Sequence, residues 1–372
     1  MEGGRSFDSL PEDIIRHIFL RRNVPPIYCV LRLVCKTWYV LITDLTNVLL
    51  KRLRATSLGI ISLRADSNSD ETISSCKLYS LQRRGGLKSL MTMTIPNIDP
   101  LYTPSHLKFL PSINGLICLT NNNHFLICNP TTTEFVSLPI CRPRLLPDML
   151  RVHCDTGFGY CPSKNQYKVV KIFEVYYKDK PFSMLKTLVI TLGPSNSWRI
   201  IENPPHKTFG KSIYLNGTIY WTTFSDDYHS LLYITAFDVG DETFRIINVP
   251  QDISRYTSDM EEHEGRLCLM HYIPKPKEGI EIYMMVEDQQ WVLRYTVLYE
   301  DFNPHYVEDL PAFCFSCLKK GKIIIGSDFT DEWLLYDIES KAFESVEFGE
   351  SDLSFPCVSP FEVSFTPIIC RC

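Results

Sequence analysis

The 372-residue sequence has no apolar run of the roughly 20 residues that a membrane-spanning helix needs. Met1-Glu2-Gly3-Gly4-Arg5 leads into no secretory apolar segment, and Glu2 stands where an N-myristoylated chain requires glycine. Gly-x-Ser-x-Gly, His-Glu-x-x-His, Gly-x-Gly-x-x-Gly and phosphate-loop motifs are all missing, and the nine histidines are scattered. These absences leave no motif for hydrolytic, zinc-dependent or nucleotide chemistry, so no catalytic residue, cofactor or metal is expected. The Cys314-Phe315-Ser316-Cys317 segment has the spacing of a metal half-site. It reads as part of a strand, however, where alternate faces separate the two sulfurs, and structural zinc needs four convergent ligands. Gly157-Phe158-Gly159 is read as a tight turn into a strand. Long uninterrupted helices are disfavoured by 24 prolines spread along the chain.

Charge is nearly balanced, but unevenly placed. Residues 1–54 carry nine Lys or Arg against five Asp or Glu, a net of +4; the whole chain is at -5, which leaves -9 for the remainder. A basic head on an acidic body suits an acidic protein partner better than nucleic acid, which calls for a more continuous basic patch. The 14 cysteines sit largely in apolar runs, as at Cys118, Cys128 and Cys268. There they act as small buried hydrophobes. With no secretory signal, free thiols in the cytoplasm or nucleus are expected.

The first 50 residues have helical character. In Leu10-Pro11-Glu12-Asp13-Ile14-Ile15-Arg16-His17-Ile18-Phe19, proline suits a first helical turn and the acids suit its positive end. Ile14, Ile15 and Ile18 form one apolar stripe. A second helix is expected from about Pro25 to Val34, and a third over roughly 35–49 through Trp38, Leu41 and Ile42. Three short helices make a unit of about 45 residues with little core, so docking on a partner should stabilise it.

From residue 57 the period changes from 3.6 to 2, and short β-rich runs alternate with polar turns. Turn glycines precede apolar strands at Asn114-Gly115, Asn216-Gly217, Glu264-Gly265 and Lys320-Gly321. A second element recurs: Asn or Asp closes a strand, and an aromatic returns six positions on. The pairs are Asn129 with Phe135, Asp238 with Phe244 and Asp337 with Phe343. The fixed offset implies one hairpin type, with the Asn or Asp capping its own turn and the aromatic re-entering the core. Spacing near 50 residues matches propeller blades. The divisions are 55–95, 105–140, 150–203, 208–250, 262–310 and 312–348, with 358–365 returning beside the first. That gives six blades, with five or seven as the alternatives. The fold class is thus α+β multidomain: a helical unit over 5–50, a short basic linker at 51–56 and an all-β propeller-like domain over 57–368. Polar connections at 142–153, 223–230 and 252–264 supply Arg144, Arg151, Tyr228, Arg255 and Tyr256 as candidate target-binding residues. The adjacent acids Asp226-Asp227 and Glu261-Glu262 read as wet loops.

Two motifs carry a resemblance. Leu10-Pro11-Glu12-Asp13 with Ile14, Ile15 and Ile18, followed by Val34-Cys35-Lys36-Thr37-Trp38 and Leu41-Ile42, resembles an F-box. Arg22-Asn23-Val24-Pro25-Pro26 stands where plant members usually have Leu-Pro-Val-Lys, one residue shorter, so that turn is expected to be rebuilt. Gly157-Phe158-Gly159-Tyr160, Pro162 and Tyr167-Lys168-Val169-Val170, with Asn129-Pro130-Thr131-Thr132 and Leu138-Pro139, resemble the kelch-like F-box-associated domain of plant proteins. Cys161 replaces the usual Asp before Pro162. The resemblance implies a non-catalytic substrate receptor of an SCF-type cullin–RING ubiquitin ligase. Its F-box would dock a Skp-type adaptor through Leu10, Pro11, Ile14, Ile15, Ile18, Val34, Cys35, Trp38, Leu41 and Ile42. Its β domain would bind an unknown target protein. The alternatives are a propeller-type enzyme with a central-channel site and an interaction scaffold outside the ligase system.

Overall fold

A computed structural model of the chain describes residues 11, 13–14, 36–45, 58–65, 74–81, 87–95, 108–121, 123–141, 149–178, 183–193, 197–224, 232–250, 253, 258–273, 279–298, 313–318, 322–327, 333–346, 358–361, 364 and 368. Among them, strands dominate and build a β-propeller of four-stranded antiparallel sheets. The first sheet joins both ends of this region: β1 (Leu58–Ala65), β2 (Ser74–Leu81) and β3 (Leu87–Ile95) are completed by β24 (Val358–Phe361), which pairs with β1. The second contains β4 (Lys108–Phe109), β5 (Ile117–Asn121), β6 (His124–Asn129) and β7 (Glu134–Ser137). The third contains β8 (Met149–Cys161), β9 (Gln166–Tyr177), β10 (Met184–Thr191) and β11 (Arg199–Ile201). The fourth contains β12 (Thr208–Leu215), β13 (Thr218–Phe224), β14 (Leu232–Asp238) and β15 (Phe244–Asn248). The fifth contains β16 (Ser258–His263), β17 (Arg266–Ile273), β18 (Gly279–Glu287) and β19 (Gln290–Leu298). The sixth contains β20 (Phe313–Leu318), β21 (Lys322–Ser327), β22 (Trp333–Asp337) and β23 (Ala342–Val346). The first strands of successive sheets lie side by side: β8 by β12, β12 by β16, β16 by β20 and β20 by β24.

Among the described residues the repeated hairpins are built as their spacing implies; Lys320-Gly321 lies outside them. Asn114-Gly115, Asn216-Gly217 and Glu264-Gly265 all take positive φ, the left-handed pair that matches a tight hairpin to strand twist. In the second element the Asx side chain caps the turn. Asn129 Oδ1 accepts from Thr131 N, Asp238 Oδ1 from Gly240 N and Asp241 N, and Asp337 Oδ1 from Glu339 N and Ser340 N. Each turn then ends on a left-handed residue four places beyond the Asx: Thr133, Glu242 and Lys341. The returning aromatic packs on the strand residue opposite it in two copies, Phe237 with Phe244 and Tyr336 with Phe343. The third departs from expectation. Phe135 is 48% exposed, because the position across from it holds Cys128 and offers no ring to stack on.

Neighbouring sheets bury continuous apolar layers, the main source of their stability. Leu116, Cys118, Phe125, Phe158, Val169 and Phe173 fill the layer between the second and third sheets; Ile219, Trp221, Phe237, Val170 and Val189 fill that between the third and fourth. The Gly157-Phe158-Gly159 segment is no turn. It lies inside β8, and its glycines take no left-handed backbone conformation. Their need is spatial: a Cβ on Gly157 would lie 2.4 Å from Trp221 Cζ2, and one on Gly159 2.6 Å from Val239 Cγ2. Lys168 crosses the same seam, donating to Val239 O at 2.6 Å and to Glu242 Oε1 at 2.6 Å, and Arg199 joins Glu242 from β11. Cys161, in place of the expected Asp, is held by Ser163, with Sγ to Oγ at 3.2 Å. Cys118, Cys128, Cys141, Cys161 and Cys268 are buried free thiols; burial pushes Cys141 up to about 11 and Cys268 to about 12.

Candidate functional site

Of the ten residues expected to dock an adaptor, Pro11, Ile14, Trp38, Leu41 and Ile42 are described. Leu10, Ile15, Ile18, Val34 and Cys35 lie outside the described residues. Ile14 N donates to Pro11 O at 3.1 Å, a first helical turn opened by proline. Residues 36–45 form a helix. Leu41, Ile42 and Leu45 are buried along one stripe, Trp38 is half-buried, and Ile14, Tyr39 and Val40 are exposed. This helix presents bulky apolar side chains to solvent next to its buried stripe.

The sheet topology sorts the connections of the β domain by end. Strands alternate in direction along each sheet. Links from first to second and from third to fourth strand therefore share one end, where the capped turns lie. Links from second to third strand, and from one sheet to the next, leave from the other. Residues 142–148, 225–231, 251–252 and 254–257, within or beside the three connections singled out from sequence, lie outside the described residues. Arg144, Tyr228, Arg255 and Tyr256 are among the residues outside the described part. Arg151 is not in a connection. It lies in β8, which starts at Met149, and its side chain is outside the described part. The 252–264 segment needs the same correction: β16 occupies 258–263, and Glu261 and His263 are buried rather than on a wet loop. Pairing of β16 with β17 in register explains this, since it forces alternate side chains inward whatever their polarity.

Sequence reasoning missed the groups that the described first strands bring together near this end. Between Phe209 and Ile213, Gly210, Lys211 and Ser212 face a single residue of β13, Trp221, so β12 bulges. Gly210 supplies the left-handed turn of that bulge, at φ +83°. The bulge leaves Phe209 54% exposed. His153 of β8 stacks on the Phe209 ring, with centroids 6.3 Å apart and planes at 10°. Lys211 Nζ reaches Glu261 of β16 at 2.6 Å, and Thr208 Oγ1 donates to Asp155 Oδ2 of β8 at 2.8 Å. Lys207 Nζ pairs with Glu174 of β9 at 3.0 Å. Burial, opposed by the Lys211 charge, pushes the Glu261 carboxyl up to about 7. At Glu174 burial pulls upward too, but hydrogen bonds from Ser183, Lys207 and Tyr176 outweigh it and hold the carboxyl below its usual range. Among the described residues no group of three or more His, Cys, Asp or Glu side chains is arranged to hold a metal.

Among the described residues, the helix at 36–45 precedes a propeller of four-stranded antiparallel sheets. The family of the F-box associated beta propeller domain matches residues 62–363, and the F-box-like family matches residues 7–52. The chain therefore belongs to the F-box proteins that carry an F-box associated propeller. Its relatives in Arabidopsis thaliana include the F-box protein At4g38870, 28% identical over 299 residues that cover 75% of this chain and 65% of that one. The F-box/kelch-repeat protein At3g04660 is 27% identical over 199 residues, covering 50% and 49%. The match thus spans less than two thirds of these relatives' own length. Among solved structures, TolB from Acinetobacter baumannii superposes with a TM-score of 0.43 at 8% identity over 82% of this chain and 67% of that one, a likeness from which nothing follows.

Proposed function

We propose that the protein is a non-catalytic substrate receptor of an SCF-type ubiquitin ligase, working in the cytoplasm or nucleus. The supporting observation is that an F-box-like segment and an F-box associated propeller occur in one chain. On this reading, residues 5–50 form a three-helix unit that docks a Skp-type adaptor, residues 51–56 link it onward, and residues 57–368 close as a six-bladed ring that holds a target. The work is geometric. Docking at one end and capture at the other raise the effective concentration of a target lysine near a ubiquitin-loaded enzyme. Leu10, Pro11, Ile14 and their neighbours provide an apolar plug that the adaptor completes. The test is co-purification of the full chain with a Skp-type adaptor. Association at micromolar concentration that is lost in the Leu10→Ala/Pro11→Ala double variant is expected. A folded full chain with no such association would end the proposal.

A further inference from the structure

Strand alternation sorts the charges of the third sheet. Along β9, Phe173 and Val175 face the second sheet, while Val170 and Ile172 face the fourth. Lys171 falls in the first set, with its Nζ over the Phe125 ring of the second sheet. Cys154 of β8 and Lys186 of β10 both stand opposite Phe173 in register, so they share this face. Asp155 and Glu174 fall on the other face, where Thr208 and Lys207 take them up. The pairing thus parts the carboxylates of these strands from Lys171 and Lys186, which are diagonal neighbours on one side.

Nothing among the described residues neutralises these two lysines. The charges that bear on Lys171 are those of Cys154 and Cys141. Those that bear on Cys141 are Lys171, Cys154 and Lys186, with no carboxylate in either set. Burial pushes the Cys141 thiol up to about 11, so it offers no anion at neutral pH. Lys171 itself is fully buried. Its Nζ lies 5.2 Å from the Phe125 ring centre and 4.9 Å from that of Phe173, and it donates one long hydrogen bond, to Asn123 Oδ1 at 3.3 Å. An ammonium has three N–H donors, so two meet no acceptor. Burial holds this ammonium below the usual lysine range. A buried cation without an anion is a costly arrangement, and a second lysine beside it adds repulsion. Asn123, Cys154 and Lys186 are only half-buried, so solvent touches the rim of the group.

We propose that Lys171 and Lys186, with the Asn123 side-chain amide, form a binding site for a small doubly charged oxyanion of the phosphate class, held between the second and third sheets. The two unneutralised charges set the charge of the ligand. The complete burial of Lys171 sets its size, because no segment of another protein reaches a group without exposed surface. The anion accepts the free N–H groups of Lys171 from within and of Lys186 from the rim; Asn123 Nδ2 is left to donate, since Oδ1 is taken by Lys171. The site is separate from adaptor docking and from target capture.

The test uses inorganic phosphate and the full chain. Phosphate is raised at constant ionic strength, with sodium chloride making up the difference. Once the site fills, the thermal midpoint should climb by about 2 °C for each tenfold rise in phosphate. The phosphorus NMR line of phosphate should broaden when the protein is added. Lys186→Met and Lys171→Met should each remove both responses. Lys164→Met should keep them, because that lysine bonds Gly240 O elsewhere. Circular dichroism confirms that each variant is folded; if Lys171→Met is not, the half-buried Lys186→Met decides alone. Singly charged acetate should raise the midpoint far less than phosphate. No line broadening, a midpoint that follows ionic strength alone, an equal effect of acetate, or a response retained in folded Lys186→Met would each overturn the proposal.

Discussion

Gly157 shows what a single residue can decide in this molecule. Its backbone is ordinary strand, so glycine is not needed for conformational freedom; the indole of Trp221 occupies the space where a side chain would go. Gly157→Ala is expected to destabilise the protein by about 1–3 kcal/mol, the usual cost of overpacking a tight core. Urea denaturation would measure it, and an unchanged midpoint would show that the seam can open freely. Asp238 makes the complementary point. Its carboxylate accepts two backbone N–H groups at 2.8 and 2.7 Å, so Asp238→Ala leaves both without that partner. The expected loss is about 1 kcal/mol, visible as a lower thermal midpoint, and Asp238→Asn should recover most of it because an amide oxygen can accept both bonds.

At the level of strands, the pair formed by β12 and β16 carries a titration. The Glu261 carboxyl is raised from 4.5 to about 7 by burial, which outweighs Lys211. The folded protein therefore holds a proton that the unfolded chain releases above about pH 4.5. Stability should fall as pH rises through the 4.5–7 window and level off beyond it, by up to about 3 kcal/mol. Glu174 and Glu242 have the opposite sign. Their carboxyls are held low, so their contribution is present above the ordinary carboxylate value and is lost as pH falls through the depressed one. Thermal midpoints measured from pH 5 to 8 should decline in the wild type and lie nearly flat in Glu261→Gln, whose amide keeps a hydrogen-bond acceptor for Lys211 but cannot titrate. An equal slope in both proteins would place the proton elsewhere. The tight turns of these elements were readable in advance, because Asn-Gly pairs and the six-residue Asx-to-aromatic offset are local chemistry. The β12 bulge was not, since Phe209-Gly210-Lys211 contains no local instruction that separates a bulge from a turn.

Across the whole molecule, closure is the organising event. β24 supplies the first strand of the sheet that begins with β1, pairing Gly59 through Ser62 with Phe361 through Val358. The chain beyond it is also anchored: Asn129 Nδ2 donates to Ser364 O, and Ile368 is buried with Leu110, Leu116 and Phe158. Truncation after residue 357 should remove both fastenings. Truncation after residue 362 should keep β24 and lose only the second. Thermal midpoints are expected to rank full length, then the longer truncation, then the shorter, with the last largely unfolded or aggregated because an edge of β1 is uncovered. Equal midpoints for all three would show that β24 contributes nothing to holding the sheets together.

The amino-acid sequence by itself determined the period-2 architecture, the turn chemistry and the family, because each is written in residues close together in the chain. It also singled out Gly157, Gly159 and Lys168 without revealing why they matter. Only the tertiary structure decided that: their partners Trp221, Val239 and Glu242 lie in the next sheet, more than 60 residues away. The same holds for the layering of exposed lysines over buried acids near Phe209. It depends on β8, β9, β12 and β16 meeting around one end of the domain, and no spacing along the chain records which strands will be neighbours.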